Sequence, residues 1–389
     1  MKKRGTRLAA AVVVALLALM WLGCGNEFRP VASPIFPPGG DPQAQRQAVA
    51  VNNAGGATGT TTHLNVSGDT TVASHTVGQG PVHAVTVSGS PITFVANAGD
   101  DTLSAYATFS TGTTPTTVSL PIGSAPVFLN STEVFRMYVA NSGLNTVGII
   151  NASTAQLTDT VPVGNNPVAL AELPNGSKLY CVNQNDGTVS VISTLDKVVI
   201  GLPIPVGNMP SFAVVNETGA FVFVANQGEG TVSVIDTATD TVTGTLGVGA
   251  APNFLFFDRS LRRVYVTNSG DGTVSIIRTD VSPPVVMGGP ITVGTTPLSV
   301  TALADGSRAY VANSGSNTVS VINTSNNTVT KTIAVGTNPV SIASSSDSAR
   351  VYTANRGSDT ISIIRTSDDT VVRNAPTTAP QPVWVLTTP

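Results

Sequence analysis

The sequence predicts an all-β protein, a β-propeller of eight four-stranded blades, and three observations carry that expectation. A unit of about 43 residues recurs along most of the chain. Each unit holds four short runs rich in Val, Ile, Thr and Tyr, the residues that suit a pleated, half-buried surface. Gly, Asn, Ser and Asp punctuate the runs and supply turns. Antiparallel units of four strands repeating every ~40–45 residues close into a ring, because each blade needs neighbours on both faces.

The first element is an export signal, residues 1–24. Lys2, Lys3, Arg4 and Arg7 precede an apolar run from Leu8 to Leu22, and Gly23-Cys24 follows. That run is short for a spanning helix, which needs ~20 residues, and it suits a signal-peptide core. An uncleaved membrane anchor is the alternative. Trp21-Leu22-Gly23-Cys24 resembles a bacterial lipobox, with Trp21 where such signals usually carry Leu. The resemblance implies lipidation at Cys24 and a mature chain that starts there. Each buried methylene adds ~0.8 kcal/mol, so several acyl chains hold firmly where one holds marginally. Gly25 follows Cys24 in place of the Asp that often retains such proteins at an inner membrane. The expected location is therefore the outer membrane or cell surface, otherwise periplasmic or secreted.

Residues 25–46 read as a tether. Pro30, Pro34, Pro37, Pro38 and Pro42 alternate with Gly and Gln, without apolar periodicity. Proline stiffens a chain and removes donors, so a semi-extended spacer is expected. Residues 47–389 follow as a single propeller domain.

Two registers define the repeat. Asn53, Asn97, Asn141, Asn183, Asn226, Asn268, Asn313 and Asn355 each end a strand-like run. Pro81, Pro126, Pro167, Pro210, Pro252, Pro297, Pro339 and Pro382 each open one. One unit reads Pro297-Leu-Ser-Val-Thr-Ala, Arg308-Ala-Tyr-Val-Ala-Asn313, Thr318-Val-Ser-Val-Ile-Asn323 and Thr328-Val-Thr-Lys-Thr-Ile333. Val335-Gly336-Thr337-Asn338-Pro339 starts the next copy, with Pro forcing an extended residue before it. Pro252-Asn-Phe-Leu-Phe-Phe257 and Pro382-Val-Trp-Val-Leu386 are apolar at successive positions, as expected for inner strands buried on both faces.

The ends fix the blade count. Complete units run from Pro81 to about Asn374, leaving one first strand at 382–387 and three further strands within 47–76. Together they make one more blade, closing the ring and covering edges that would otherwise be exposed. Seven blades is the alternative.

Tyr265-Val266-Thr267-Asn268, with Tyr138-Val-Ala-Asn141, Phe223-Val-Ala-Asn226 and Tyr310-Val-Ala-Asn313, resembles the YVTN-type β-propeller repeat family. The resemblance covers residues 81–388 most clearly. It implies the propeller fold. It leaves function open among surface-layer proteins, envelope propellers and lactonase-type propeller hydrolases.

Composition narrows the partners. Charged residues are 11% of the chain and the formal net charge is −3. Removing the four basic residues of the export signal leaves 15 against 22 acidic ones, a charge of −7 for the remainder. Phosphate backbones call for clustered Lys and Arg, so no nucleic acid is expected as partner. The partners expected are a membrane, through the lipid, and a protein or glycan on one propeller face. Cys181 stands where sister repeats carry Val or Thr and reads as a buried thiol. The ring of short polar loops at the Asn and Val-Gly-x-x-Pro positions reads as Asx-turn architecture, with glycan binding as the functional alternative.

The candidate funnel residues are His83 on an inner strand and Glu172, Glu217 and Asp258 on or just after inner strands. They form no paired acid, metal-ligand set or nucleophile triad along the sequence, and no catalytic residue, metal or cofactor is assigned. The expected function is a non-enzymatic, lipid-tethered envelope scaffold or binding module. A lactonase-like hydrolase with its site at the central funnel is the alternative.

Overall fold

A computed structural model describes residues 46–87, 91–131 and 135–388. The export signal, Cys24 and all but the last residue of the tether lie outside them. The described residues form eight sheets, and their inner strands contact one another in a closed circle. Seven blades are continuous in sequence: blade 1 (81–119), blade 2 (126–162), blade 3 (167–205), blade 4 (210–247), blade 5 (252–292), blade 6 (297–334) and blade 7 (339–376). Blade 8 joins the two ends of the ring, with Pro382–Thr387 innermost, then Gln47–Asn52, Thr58–Asn65 and Thr70–Gln79. Ala50 faces Val385 and Val51 faces Trp384 in its antiparallel ladder. The eight-blade expectation, with both ends sharing one blade, therefore holds.

Blade 5 departs from the pattern in its fourth strand, which is split into Val285–Val286 and Ile291–Thr292. Gly288, Gly289 and Pro290 lie between the pieces, and Gly288 takes φ +61°, a conformation that glycine adopts at no steric cost.

The core lies between blades. Tyr138, Val147 and Ile149 of blade 2 pack with Leu170, Cys181 and Ile192 of blade 3. Ala48, Ala50 and Leu64 of blade 8 pack against Tyr352, Ala354 and Ile361 of blade 7. Val51 and Val77 meet Ala84, Val95 and Tyr106 of blade 1. The sheet formed by both ends is thus clamped on each side.

Three polar devices explain the repeated letters. The first is the Asn that ends the second strand. Asn226 Nδ2 donates to Thr231 Oγ1 at 3.0 Å and Ser233 Oγ at 2.9 Å. The same pair of bonds recurs at Asn97, Asn183, Asn268, Asn313 and Asn355. These are cross-strand bonds to the third strand, in place of the expected Asx turns. In blade 8 the equivalent residue is Asn52, bonded to Thr60 and Thr62. Asn53, which the sequence register suggests, instead caps the short helical turn Ala54–Gly56.

The second device is the glycine of Val-Gly-x-x-Pro. A Cβ on Gly249 would stand 2.7 Å from Asn268 Cγ, and one on Gly207 2.5 Å from Asn226 Cγ. The buried Asn occupies the space that a side chain would need.

The third device clasps neighbouring blades. Lys178 Nζ and Tyr180 OH of blade 3 donate to opposite oxygens of Asp240 in blade 4, at 2.7 and 2.6 Å. Arg308 of blade 6 donates to both oxygens of Asp369 in blade 7, and Tyr310 OH shares Oδ1 with it. Arg350 of blade 7 reaches Asp69 at 3.0 Å, so the clasp also crosses the seam between the two ends of the ring.

Candidate binding funnel

The axis is built from the third residue of each inner strand, counting the opening Pro as the first. Five of these are His83, Phe128, Phe212, Phe254 and Trp384; the other three are Ala169, Ser299 and Ser341. The five rings meet in a closed circuit. Centroids lie 4.3 Å apart for His83–Phe128, 5.5 Å for Phe128–Phe212 and 4.5 Å for Phe212–Phe254. Phe254–Trp384 at 6.4 Å and Trp384–His83 at 4.3 Å complete it.

The same position also ties inner strands together. Ser299 Oγ accepts from Ile342 N at 3.4 Å, Ser341 Oγ from Val385 N at 3.1 Å, and His83 Nδ1 from Leu129 N at 3.3 Å. The last bond fixes the histidine's tautomer. Nδ1 accepts, so the ring proton sits on Nε2. Burial lowers the His83 pKa to about 3, which keeps the imidazole neutral.

Beside this circuit lie two adjoining cavities of about 420 and 440 Å³. The first is apolar, walled by Val85, Phe254, Phe256, Trp384 and Leu386 among others. The second shares Phe128, Phe212, Val214 and Phe257 with it and ends in Asn130, Glu172, Glu217 and Arg259. These polar residues lie at or just beyond the far ends of inner strands. The funnel therefore opens on the face away from the Val-Gly-x-x-Pro loops.

The expected site residues divide. His83 belongs to the aromatic circuit. Glu172 is 3% exposed and lines the polar wall. Glu217 lines the same wall and pairs through Oε1 with Arg262 Nε at 3.2 Å. Asp258 ends the inner strand of blade 5 and is not among the residues that line these two cavities. Its Oδ1 turns back to accept from Ser260 N at 2.9 Å, Ser260 Oγ at 2.6 Å and Leu261 N at 3.3 Å, capping the first hairpin of blade 5. Among the described residues, no group of three or more His, Cys, Asp or Glu is placed to hold a metal ion. Cys181 is fully buried, and burial pushes its thiol pKa up.

Sequence reasoning missed Phe128, Phe212, Phe254 and Trp384. The signal was available as the third residue after each repeat proline. The apolar runs around Phe254 and Trp384 read, from sequence, as strands buried on both faces.

The loops on the opposite face use their polar groups on each other. Asp100 Oδ2 accepts from Gln79 N at 2.9 Å, Asp186 Oδ2 from Asn165 N at 2.7 Å, and Asn317 Oδ1 from Asn338 N at 2.8 Å. That ring of loops is largely occupied with its own architecture.

A family model described as "Lactonase, 7-bladed beta-propeller" matches residues 137–247, a stretch from blade 2 through blade 4. No curated protein sequence matches the chain. Among solved structures, the dihydro-heme d1 dehydrogenase NirN in complex with DHE is similar over 98% of this chain and 86% of its own, at 13% identity and a TM-score of 0.70. Apo AztD from Citrobacter koseri is similar over 88% of this chain and 97% of its own, at 11% identity and a TM-score of 0.67. A proposed 6-phosphogluconolactonase from Bacteroides fragilis covers 89% and 98%, at 13% identity and a TM-score of 0.61. These likenesses are of the propeller fold, which hosts many unrelated functions.

Proposed function

We propose that this chain is a non-enzymatic envelope propeller of the YVTN type, held to a membrane by lipid on Cys24. It acts there as a scaffold or binding module for a protein or glycan, and nucleic acid is not its partner. One observation carries the non-enzymatic part: three of the four titratable groups expected at the funnel are engaged in architecture. Asp258 caps a hairpin, Glu217 pairs with Arg262, and His83 is bonded through Nδ1 to Leu129 and packed at a tilt between two rings. General acid–base work needs a group poised near the operating pH and within reach of a substrate proton. The lowered pKa of His83 takes it away from that range.

A lactonase-like hydrolase is the second reading. It is favoured by the family match, whose span includes both Glu172 and Glu217, and by their shared wall. Two experiments separate the readings. Cell fractionation of Cys24→Ser should move the protein out of the membrane fraction; full retention would remove the lipid anchor from the proposal. A panel of sugar and acyl lactones should show no turnover. Turnover abolished by Glu172→Gln or Glu217→Gln would install the hydrolase instead.

A further inference from the structure

We propose that the funnel is a binding site for a small, flat, apolar ring system that carries a hydrogen-bond-accepting oxygen, such as an aryl or enone carbonyl. This goes beyond the scaffold reading, which concerns a macromolecule on a propeller face.

The first support is where the chain leaves its aromatic rings open. Tyr138, Tyr180, Tyr265, Tyr310, Phe94 and Phe223 are fully buried between blades. The rings of the funnel are only half-buried: Phe128, Phe212, Phe254, Phe256 and Trp384 all keep part of their surface. They gather around one apolar cavity of about 420 Å³, within the size range of small-molecule sites. Walls made of ring faces and edges favour a flat partner, through offset or edge-to-face contacts.

The second support is a pair of unused donors. With Nδ1 of His83 accepting from Leu129 N, the proton on Nε2 has no acceptor among the described residues. The indole Nε1–H of Trp384 also has none. His83 is 7% exposed, and the two rings are neighbours, with centroids 4.3 Å apart. Both residues line the apolar cavity. Leaving a buried donor unmade costs free energy that an acceptor recovers. Both nitrogens are buried beside the cavity, so an oxygen brought in at the edge of a flat ring would meet either donor through a shift of that donor's ring, while the ligand's own ring stays against Phe254 and Phe256. A purely hydrocarbon ligand would leave both donors as they are. Neutral His83 favours an uncharged acceptor over an anion.

The sequence supplies a reporter. The chain has two tryptophans, Trp21 and Trp384. Full-length protein carrying Trp21→Phe therefore has one indole N–H, at the floor of the funnel. The test adds 2-acetylnaphthalene or 2-ethylnaphthalene, which share a ring and differ in the carbonyl, and follows that N–H by nitrogen–proton correlation. Calorimetry gives both affinities. The expected result is a saturable downfield shift with the acetyl compound and about tenfold tighter binding than for the ethyl compound. His83→Phe should keep ring binding and lose most of that preference. Equal affinities for the two compounds would overturn acceptor recognition, and no saturable shift with either would overturn the site. If His83→Phe does not fold, the matched pair on the His83 protein decides alone. The scaffold reading is judged separately, by fractionation and lactone turnover.

Discussion

Gly249 and Gly244 make a matched test of why the repeat keeps its glycine. A Cβ at Gly249 would lie 2.7 Å from both Cγ and Nδ2 of Asn268, whereas one at Gly244 would meet nothing within 4 Å. Asn268 is fully buried and holds Thr273 and Ser275 at 3.0 Å each. Gly249→Ala must therefore push Asn268 away from both hydroxyls. Overpacking costs ~1–3 kcal/mol, and each weakened bond costs up to ~1 kcal/mol, so a loss of about 2–4 kcal/mol is expected. Unfolding entropy of ~2.1 cal/mol/K per residue over the ring converts this to a fall of roughly 3–6 °C in Tm. Gly244→Ala has room and no positive φ. It should leave Tm unchanged or raise it slightly, since Ala restricts the unfolded chain by ~0.4–1 kcal/mol relative to Gly. Thermal melts followed by circular dichroism measure both. If Gly249→Ala melts with the parent protein, or Gly244→Ala falls as far, the steric account of the repeat is wrong.

Removing residues 382–389 should abolish a cooperative melt or soluble expression. The strand 382–387 is the innermost of blade 8 and buries Val385 to 2% exposure, and losing several half- to fully buried apolar side chains approaches a typical net stability of ~5–15 kcal/mol. A truncated protein that melts like the whole chain would refute the closure. Asp369→Ala should lower stability by about 1–3 kcal/mol, because Arg308 and Tyr310 both lose their acceptor. The exposed neighbour Asp368, paired with Arg365, should give no measurable change on the same substitution, and chemical denaturation compares them. Acid should destabilise the fold between about pH 6.5 and 3. His63 and His83 have pKa values lowered by burial from 6.5 to about 3, so in that window the unfolded chain binds more protons and stability falls with pH. Urea midpoints across the window should flatten in His63→Gln and His83→Gln, and an unchanged slope would show that these residues do not set it.

The blade count was legible because the strands left at each end were complementary. Gln47–Asn53 supplied a second strand without a first, and Pro382–Thr387 a first without a second. The slip from Asn52 to Asn53 has a local cause. The helical turn at Ala54–Gly56 lengthens this hairpin, so Asn52 reaches hydroxyls 8 and 10 residues on, against 5 and 7 in Asn226. With two adjacent asparagines, spacing alone favoured the wrong one. Asp258 shows how local chemistry redirects a candidate residue. Its place at the end of an inner strand matches a funnel mouth, but the Ser260 two residues later makes it a turn cap. The aromatic circuit was harder to read. An inner strand apolar at every position does not say which of its side chains approach the axis, and only the packing of eight such strands decides that.

The seam in blade 8 has a consequence for the order in which the protein is made. Gln47 N donates to Thr388 Oγ1 across 341 positions of sequence. The partners of the first strand of the ring to be synthesised therefore include the last. Until that last strand emerges, Gln47–Asn52 lacks its inner neighbour, and the facing surfaces of blades 7 and 1 lack part of their cover. Contacts this distant in sequence slow the final step of folding, and an incomplete chain keeps exposed edges that proteases and aggregation can reach. A nascent chain is thus held short of its native state until its last strand has emerged, with closure reporting that every blade has arrived.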